Sequence, residues 1–269
     1  MIDLENAKLV FKKYVSNYNP QNPRIALKIA HTYRVVEVAK QLATSLYNTQ
    51  NKELKCYAFS NEENIKLAEL IGLLHDIGRF EQLKRYDSFI DRQTIDHAKL
   101  GIDILTENEN KLLNEFCPDE KFHLTIITAI SNHNKYKIEE LNDENMLTQC
   151  KIIRDSDKID ILNLCRYETF ETLYKQKDIT NEAISDTIFN DFINNVQTNR
   201  KEIKTDMDDW ILGIGMIFDI YYQESFKILK EKNYIKELFQ RVTNNTNREK
   251  IEQLEEIADN YITRKCERI

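Results

Sequence analysis

Apolar residues recur at intervals of three and four along most of this chain, the spacing of helices with one buried face. Residues 3–18 read as a first amphipathic helix, ended by Asn19-Pro20. Asn22-Pro23 then supplies an N-cap and a proline at the first helical position, and the helix it opens runs to about residue 46. A polar stretch over residues 48–56 reads as a loop. The pattern predicts further helices over residues 61–77, stopped by Gly78, and over residues 96–107, 119–132 and 143–174, with residues 79–95 irregular. After Asp178 the helical pattern continues, most apolar between Trp210 and Lys230. Neither an internal repeat nor a glycine-rich phosphate loop is found.

Composition narrows the class. With 5 Gly and 3 Pro in 269 residues, a turn-rich β protein is disfavoured and an all-α fold expected. A net charge of −7 argues against an extended nucleic-acid-binding surface. No run approaches the ~20 apolar residues that span a bilayer, so no membrane partner is expected. The start, MIDLENAKLVFKKY, does not have the pattern of a secretory signal. The cysteines Cys56, Cys117, Cys150, Cys165 and Cys266 are scattered, odd in number and without a CxxC pair, which predicts a cytoplasmic protein with reduced thiols.

One apolar run is broken by chemistry. In LIGLLHDIGRFEQ, residues 70–82, His75-Asp76 interrupts a helix that otherwise reads as buried. A buried imidazole and carboxylate are costly unless something satisfies them. Neighbouring helix residues point about 100° apart, so the two share no helix face, but both can flank a groove at a helix end. Two other predicted helices carry similar interruptions. His31 lies among Leu27, Ala30, Val35 and Val38, and Asp157 shares a stripe with Ile153, Asp160 and Ile161. These are ligand-type residues on three apolar faces; the residues alone fit a metal site and separate hydrogen-bonded core residues equally well.

The order His31, His75-Asp76, Asp157 resembles the H…HD…D pattern of the HD-domain metal-dependent phosphohydrolases. LLHDIGRF resembles the family's HD helix and CKIIRDSDKIDILN its final aspartate helix, and the resemblance covers roughly residues 22–165. It implies an HD-domain helical bundle with additional C-terminal helices: a metal-binding core over residues 1–180 and an extension over 181–269 packed on it. His31, His75, Asp76 and Asp157 would hold a divalent metal. Family members with two ions use further histidines, which His97 in IDHAKLG and His133 in ISNHNKY resemble, with Asp76 then bridging. His123 matches no family position. The HD-GYP phosphodiesterases are one group using such positions, but the GYP text is absent and Asn132 or Asn134 stands for its second paired histidine, which disfavours cyclic di-GMP. Ile77-Gly78 in place of an acidic pair disfavours guanosine tetraphosphate.

The resemblance therefore implies an enzyme hydrolysing a nucleotide or another small phosphate ester, as mono- or diesterase, through a metal-bound hydroxide. His and Asp donors without thiolates suit one or two ions of Mn, Fe, Ni, Co or Zn, with Mg admitted. Arg79, three residues past Asp76, is the expected phosphate grip and charge stabiliser, with Lys135 a second phosphate-binding candidate. Lys158 reads either as a phosphate ligand or as the partner of Asp155 or a neighbouring helix. Tyr86 and Phe89 read either as a substrate wall or as loop anchors. The segment DMDDWILGIGMIFDIYYQESFKIL, residues 206–229, reads as a helix covering the core or forming a homodimer face. The rival class is a non-catalytic HD protein that keeps its metal for ligand binding or regulation.

Overall fold

The computed structural model describes residues 1–48, 59–243 and 246–267. The loop expected over residues 48–56 falls, beyond Asn48, outside them. Among the described residues every regular element is helical, so the fold class is all-α. No helix among them is long and apolar enough to cross a membrane. Cys117, Cys150, Cys165 and Cys266 are free thiols. The chain forms two compact units, Met1–Asp157 and Lys158–Ile269. The division falls inside a continuous helix, where no linker composition marks it.

The first unit holds α1 (Leu4–Val15), α2 (Pro23–Asn48), α3 (Asn61–Leu74), α4 (Ile77–Tyr86), α5 (His97–Phe116), α6 (His123–His133) and the larger part of α7 (Glu144–Cys165). Local chemistry sets their starts. Asp3 accepts from Asn6 N–H, Asn22 from Arg24 N–H at 3.0 Å, and Asp96 from the N–H groups of Ala98 and Lys99. Ser60 and Glu63 close a capping box on α3. Each such cap is worth about 1 kcal/mol. The apolar faces meet in one core that includes Phe11, Leu70, Ile71, Phe80, Phe116, Phe122 and Ile126. Each large side chain buried there contributes roughly 1.5–3 kcal/mol.

The structure departs from the pattern at helix breaks. The helix expected to reach Ile77 ends at Leu74, and Asp76, at φ −106° and ψ 17°, forms a corner from which α4 starts. Gly78 is therefore not a helix stop. A Cβ there would lie 2.2 Å from the His97 carbonyl oxygen and 2.6 Å from the Gly101 nitrogen. Only glycine lets α4 press its first turn onto the first turn of α5. Residues 79–95, expected irregular, thus contain most of α4 and a 3₁₀ turn, Asp91–Gln93. The α5 helix outruns its expected end through a break at Glu107–Asn110, where Asn108, Glu109 and Asn110 take left-handed φ of 52° to 62°. The helix expected from residue 119 begins as a 3₁₀ turn, Glu120–Phe122.

The second unit takes the end of α7, α8 (Phe170–Tyr174), α9 (Asp186–Ile193), α10 (Asp206–Ile214), α11 (Gln223–Glu231), α12 (Tyr234–Gln240) and α13 (Arg248–Glu267). The helix expected over residues 143–174 is two helices, because Thr169 caps α8 and Arg241 takes the carbonyls of Cys165 and Glu168 at the break. Residues 206–229 are likewise not one helix: α10 ends at Gly215, a 3₁₀ segment follows, and Ile220 is extended. Two glycines two residues apart weaken a helix at that point.

Candidate metal centre

The corner at Asp76 organises the site. His75 ends α3, Asp76 follows it, His97 opens α5, and His133 closes α6. His31 comes from the middle of α2 and Asp157 from α7. The structure gathers all six side chains. They form two ligand-type groups, His31 with His75 and Asp157, and Asp76 with His97 and His133; within each, the ligand atoms lie inside 4.8 Å of one another. Both histidine pairs and Asp76 are buried, and Asp157 is half-buried.

Asp76 faces both groups, one oxygen to each. Its Oδ2 lies 3.5 Å from Nε2 of His31 and 3.6 Å from Nε2 of His75. Its Oδ1 lies 3.3 Å from Nε2 of His97 and 3.9 Å from Nε2 of His133. Asp157 Oδ1 completes the first group, 3.2 Å from His31 Nε2 and 3.7 Å from His75 Nε2. Donor atoms about 2.0–2.2 Å from a shared ion are spaced on this scale.

The tautomers test whether a cation fits. A carbonyl oxygen only accepts, so Nδ1 of His75, 2.8 Å from the Gly72 oxygen, carries a proton, as does Nδ1 of His133, 2.7 Å from the Ile130 oxygen. His97 Nδ1 likewise donates to Asp91 Oδ2 at 2.6 Å. In the neutral rings each Nε2 then offers a lone pair. His75 Nε2 is buried with no hydrogen-bond partner. The Nε2 atoms of His97 and His133 face each other at 3.0 Å. Lone pairs converging on two carboxylates repel unless positive charge lies among them, and neutral imidazoles with carboxylates are the donors that divalent transition metals take.

The HD-domain family model matches residues 29–162, about half of the chain, from the residues around His31 past Asp157. The chain belongs to the HD-domain superfamily. No curated protein and no solved structure shows a significant match to it. The superfamily is one of metal-dependent phosphohydrolases, and the His and Asp groups of this HD domain are of the kind that holds divalent metal.

Electrostatics in the HD domain suit ligation. Burial alone would push the Asp76 carboxyl up, but the charges beside it, the Lys28 ammonium first and the Arg79 guanidinium with it, hold the group well below the usual carboxylate range. Burial, then His97 and His75, pushes His133 down to about 3, so its ring is neutral at pH 7.

Three residues at the site escape a reading of the sequence. Lys28, one turn before His31, places Nζ 2.6 Å from Asp76 Oδ2. Asp91 fixes the His97 ring, as a carboxylate behind a ligand histidine does. Arg154, fully buried on α7, donates to the carbonyls of Asn132, Lys135 and Tyr136 at the end of α6 and so fixes the turn carrying His133. The spacing of Lys28 to His31 is the one signal the sequence held.

The other candidates are placed as follows. Arg79 Nη1 lies 2.8 Å from Gln82 Oε1, 2.6 Å from the Phe89 carbonyl and 2.7 Å from Asp91 Oδ1; its Nε is 3.5 Å from Asp76 Oδ1. Arg79 is thus braced beside the site. Lys135 pairs with Glu139 at 2.6 Å. Lys158 pairs with Asp219 at 2.6 Å. His123 Nε2 donates to the Cys117 carbonyl at 2.7 Å, just past the end of α5: a structural role. The Phe89 ring lies 5.5 Å from Lys28 Nζ and 5.8 Å from Arg79 Cζ, whereas Tyr86 is exposed. Asn132 is buried and bonds Thr128 and Glu139 backbone groups; Asn134 donates to Asp96.

Proposed function

We propose that this HD-domain protein is a metal-dependent phosphohydrolase acting on a nucleotide or another small phosphate ester. The observation that carries the reading is Asp76, a buried carboxylate with one oxygen toward each of two ligand groups. A divalent ion bound there would lower the pKa of a water and neutralise charge on the phosphoryl oxygens. The chain's residues do the rest. His31, His75 and Asp157 form one set of ligands, and Asp76, His97 and His133 a second, with Asp76 shared. Asp91 keeps the lone pair of His97 turned inward. Arg79, its guanidinium braced by Asp91 and the Phe89 carbonyl, offers positive charge to a phosphate without ligating metal. Phe89, partly exposed beside two cations, suits an organic group next to a phosphate, as in a nucleotide.

The test is a panel of nucleotides and simple phosphomono- and phosphodiesters, run on protein loaded in turn with Mn²⁺, Fe²⁺, Ni²⁺, Co²⁺, Zn²⁺ and Mg²⁺. The expected result is turnover of at least one ester class that disappears on chelation. Tight metal retention without turnover of any ester would contradict the enzymatic reading and favour a ligand-binding role.

A further inference from the structure

The reading above leaves Lys28 without a task. Its ammonium lies 2.6 Å from Asp76 Oδ2, the oxygen that also faces Nε2 of His31 and of His75. A lysine on a carboxylate that would be shared by metal is an odd neighbour, since a cation beside a dication would be repelled. Yet a buried carboxylate with no cation is costlier still. The side chain is not locked in: it is 18% exposed, on a flexible stem, and the face of the Phe89 ring lies 5.5 Å from Nζ. A lysine can therefore leave Asp76 and keep a favourable contact.

We infer that Lys28 is a placeholder cation: it neutralises Asp76 while the metal is away, yields Oδ2 when metal binds, and then takes a phosphoryl oxygen of the substrate. The charge balance supports the second half. Two carboxylates, Asp76 and Asp157, do not cancel two divalent ions, and Lys28 adds to the excess. A phosphate dianion is the ligand class that such a surplus selects. Position supports it too. Lys28 is one helical turn before His31, so α2 presents ammonium and imidazole to the same centre. The inference rests on the metal-dependent reading of the site.

The experiment measures two affinities by titration calorimetry on wild type, Lys28→Met and Lys28→Arg. The first titrant is Mn²⁺ added to metal-free protein; the second is inorganic phosphate added to Mn²⁺-saturated protein. Methionine keeps the apolar stem and loses the charge. Lys28→Met should bind Mn²⁺ about tenfold or more tightly, because no ammonium has to be displaced. It should bind phosphate about tenfold or more weakly, because a charged donor is lost. Lys28→Arg, retaining the charge, should restore phosphate binding toward wild type. Opposite movement of the two affinities is the signature, since a merely structural lysine would weaken both or neither. Unchanged or weaker Mn²⁺ binding by a folded Lys28→Met would overturn the placeholder role, and unchanged phosphate binding would overturn the clamp. Wild type that binds no divalent ion would instead overturn the metal reading itself.

Discussion

Lys158 Nζ in the second unit lies 2.6 Å from Asp219 Oδ2; His97 Nε2 in the first lies 3.0 Å from His133 Nε2. The first contact is donor against acceptor and complete in itself. The second, for neutral rings, is acceptor against acceptor and complete only with something between. The contrast extends to neighbouring groups. In the second unit Asp208, fully buried, accepts the N–H groups of Ser185 and Lys204, Arg166 pairs with Glu237 at 2.6 Å, and Arg241 covers two carbonyls. In the first, four imidazoles and two carboxylates form two adjoining groups, with the Lys28 ammonium on Asp76. Burial of a polar side chain therefore does not identify a site. Convergence of more acceptor atoms than the facing donors can satisfy does.

Substitutions should separate the two kinds of burial. The largest effect is expected of Asp76→Ala, which takes an oxygen from both ligand groups. Phosphoester hydrolysis should fall to background, well past the about 10- to 100-fold loss typical of a residue that only supports a ligand. Metal content by elemental analysis should fall with it, and full content would move the site elsewhere. Lys158→Met should do the opposite. It takes the ammonium from Asp219, which keeps the Tyr221 hydroxyl at 3.1 Å, and should cost about 1–3 kcal/mol in denaturant unfolding. Metal content of the folded protein should not change; a variant as stable as wild type would show that the pair contributes little.

Asp91→Asn probes the boundary between ligand and support. The His97 ring keeps a neutral acceptor but loses the charge behind it. Affinity for the ion held with His97 should drop about 10- to 100-fold while the other ion is retained. Calorimetry would show one weakened site of two, and equal affinity at both would remove Asp91 from the account.

The smallest effect lies away from the site, at the α3 capping box. The ion pair with Lys121 and the bonds to Ser60 draw the Glu63 carboxyl down to about 2. Its folded pKa is below the unfolded one, about 4.3. The stability it contributes is therefore present above that value and lost as pH falls toward 2. Glu63→Gln should lower Tm slightly near neutrality and match wild type by about pH 2. A difference from wild type that does not shrink over that window would assign the effect to the side-chain amide instead of to charge.

Much of this was readable beforehand, for physical reasons that also mark the limits. Helix periodicity is local, so α1, α2 and the apolar face of α3 follow from spacing, and His31, His75, Asp76 and Asp157 stand out against it. Gly78 reads as a helix end because glycine serves two purposes. It ends helices, and it admits close backbones; which one applies here depends on the His97 carbonyl, which is distant in sequence. Lys28 looks like any lysine on a helix until Asp76 arrives from another element. Asp91 sits in a stretch without periodicity, and its role depends on a ring six residues away. Nothing in the sequence singles out Arg154, which the open end of α6 buries completely. Its burial follows from carbonyls that no sequence pattern displays.

The central claim is that Asp76 divides its two oxygens between two cation sites. Anomalous diffraction from Mn²⁺-saturated crystals tests it most directly. The account predicts two peaks per chain, one among His31, His75 and Asp157 and one between His97 and His133, with Asp76 touching both. A saturated crystal with no peak beside Asp76, and with the Nε2 atoms of His75, His97 and His133 hydrogen-bonded to protein or water, would contradict it.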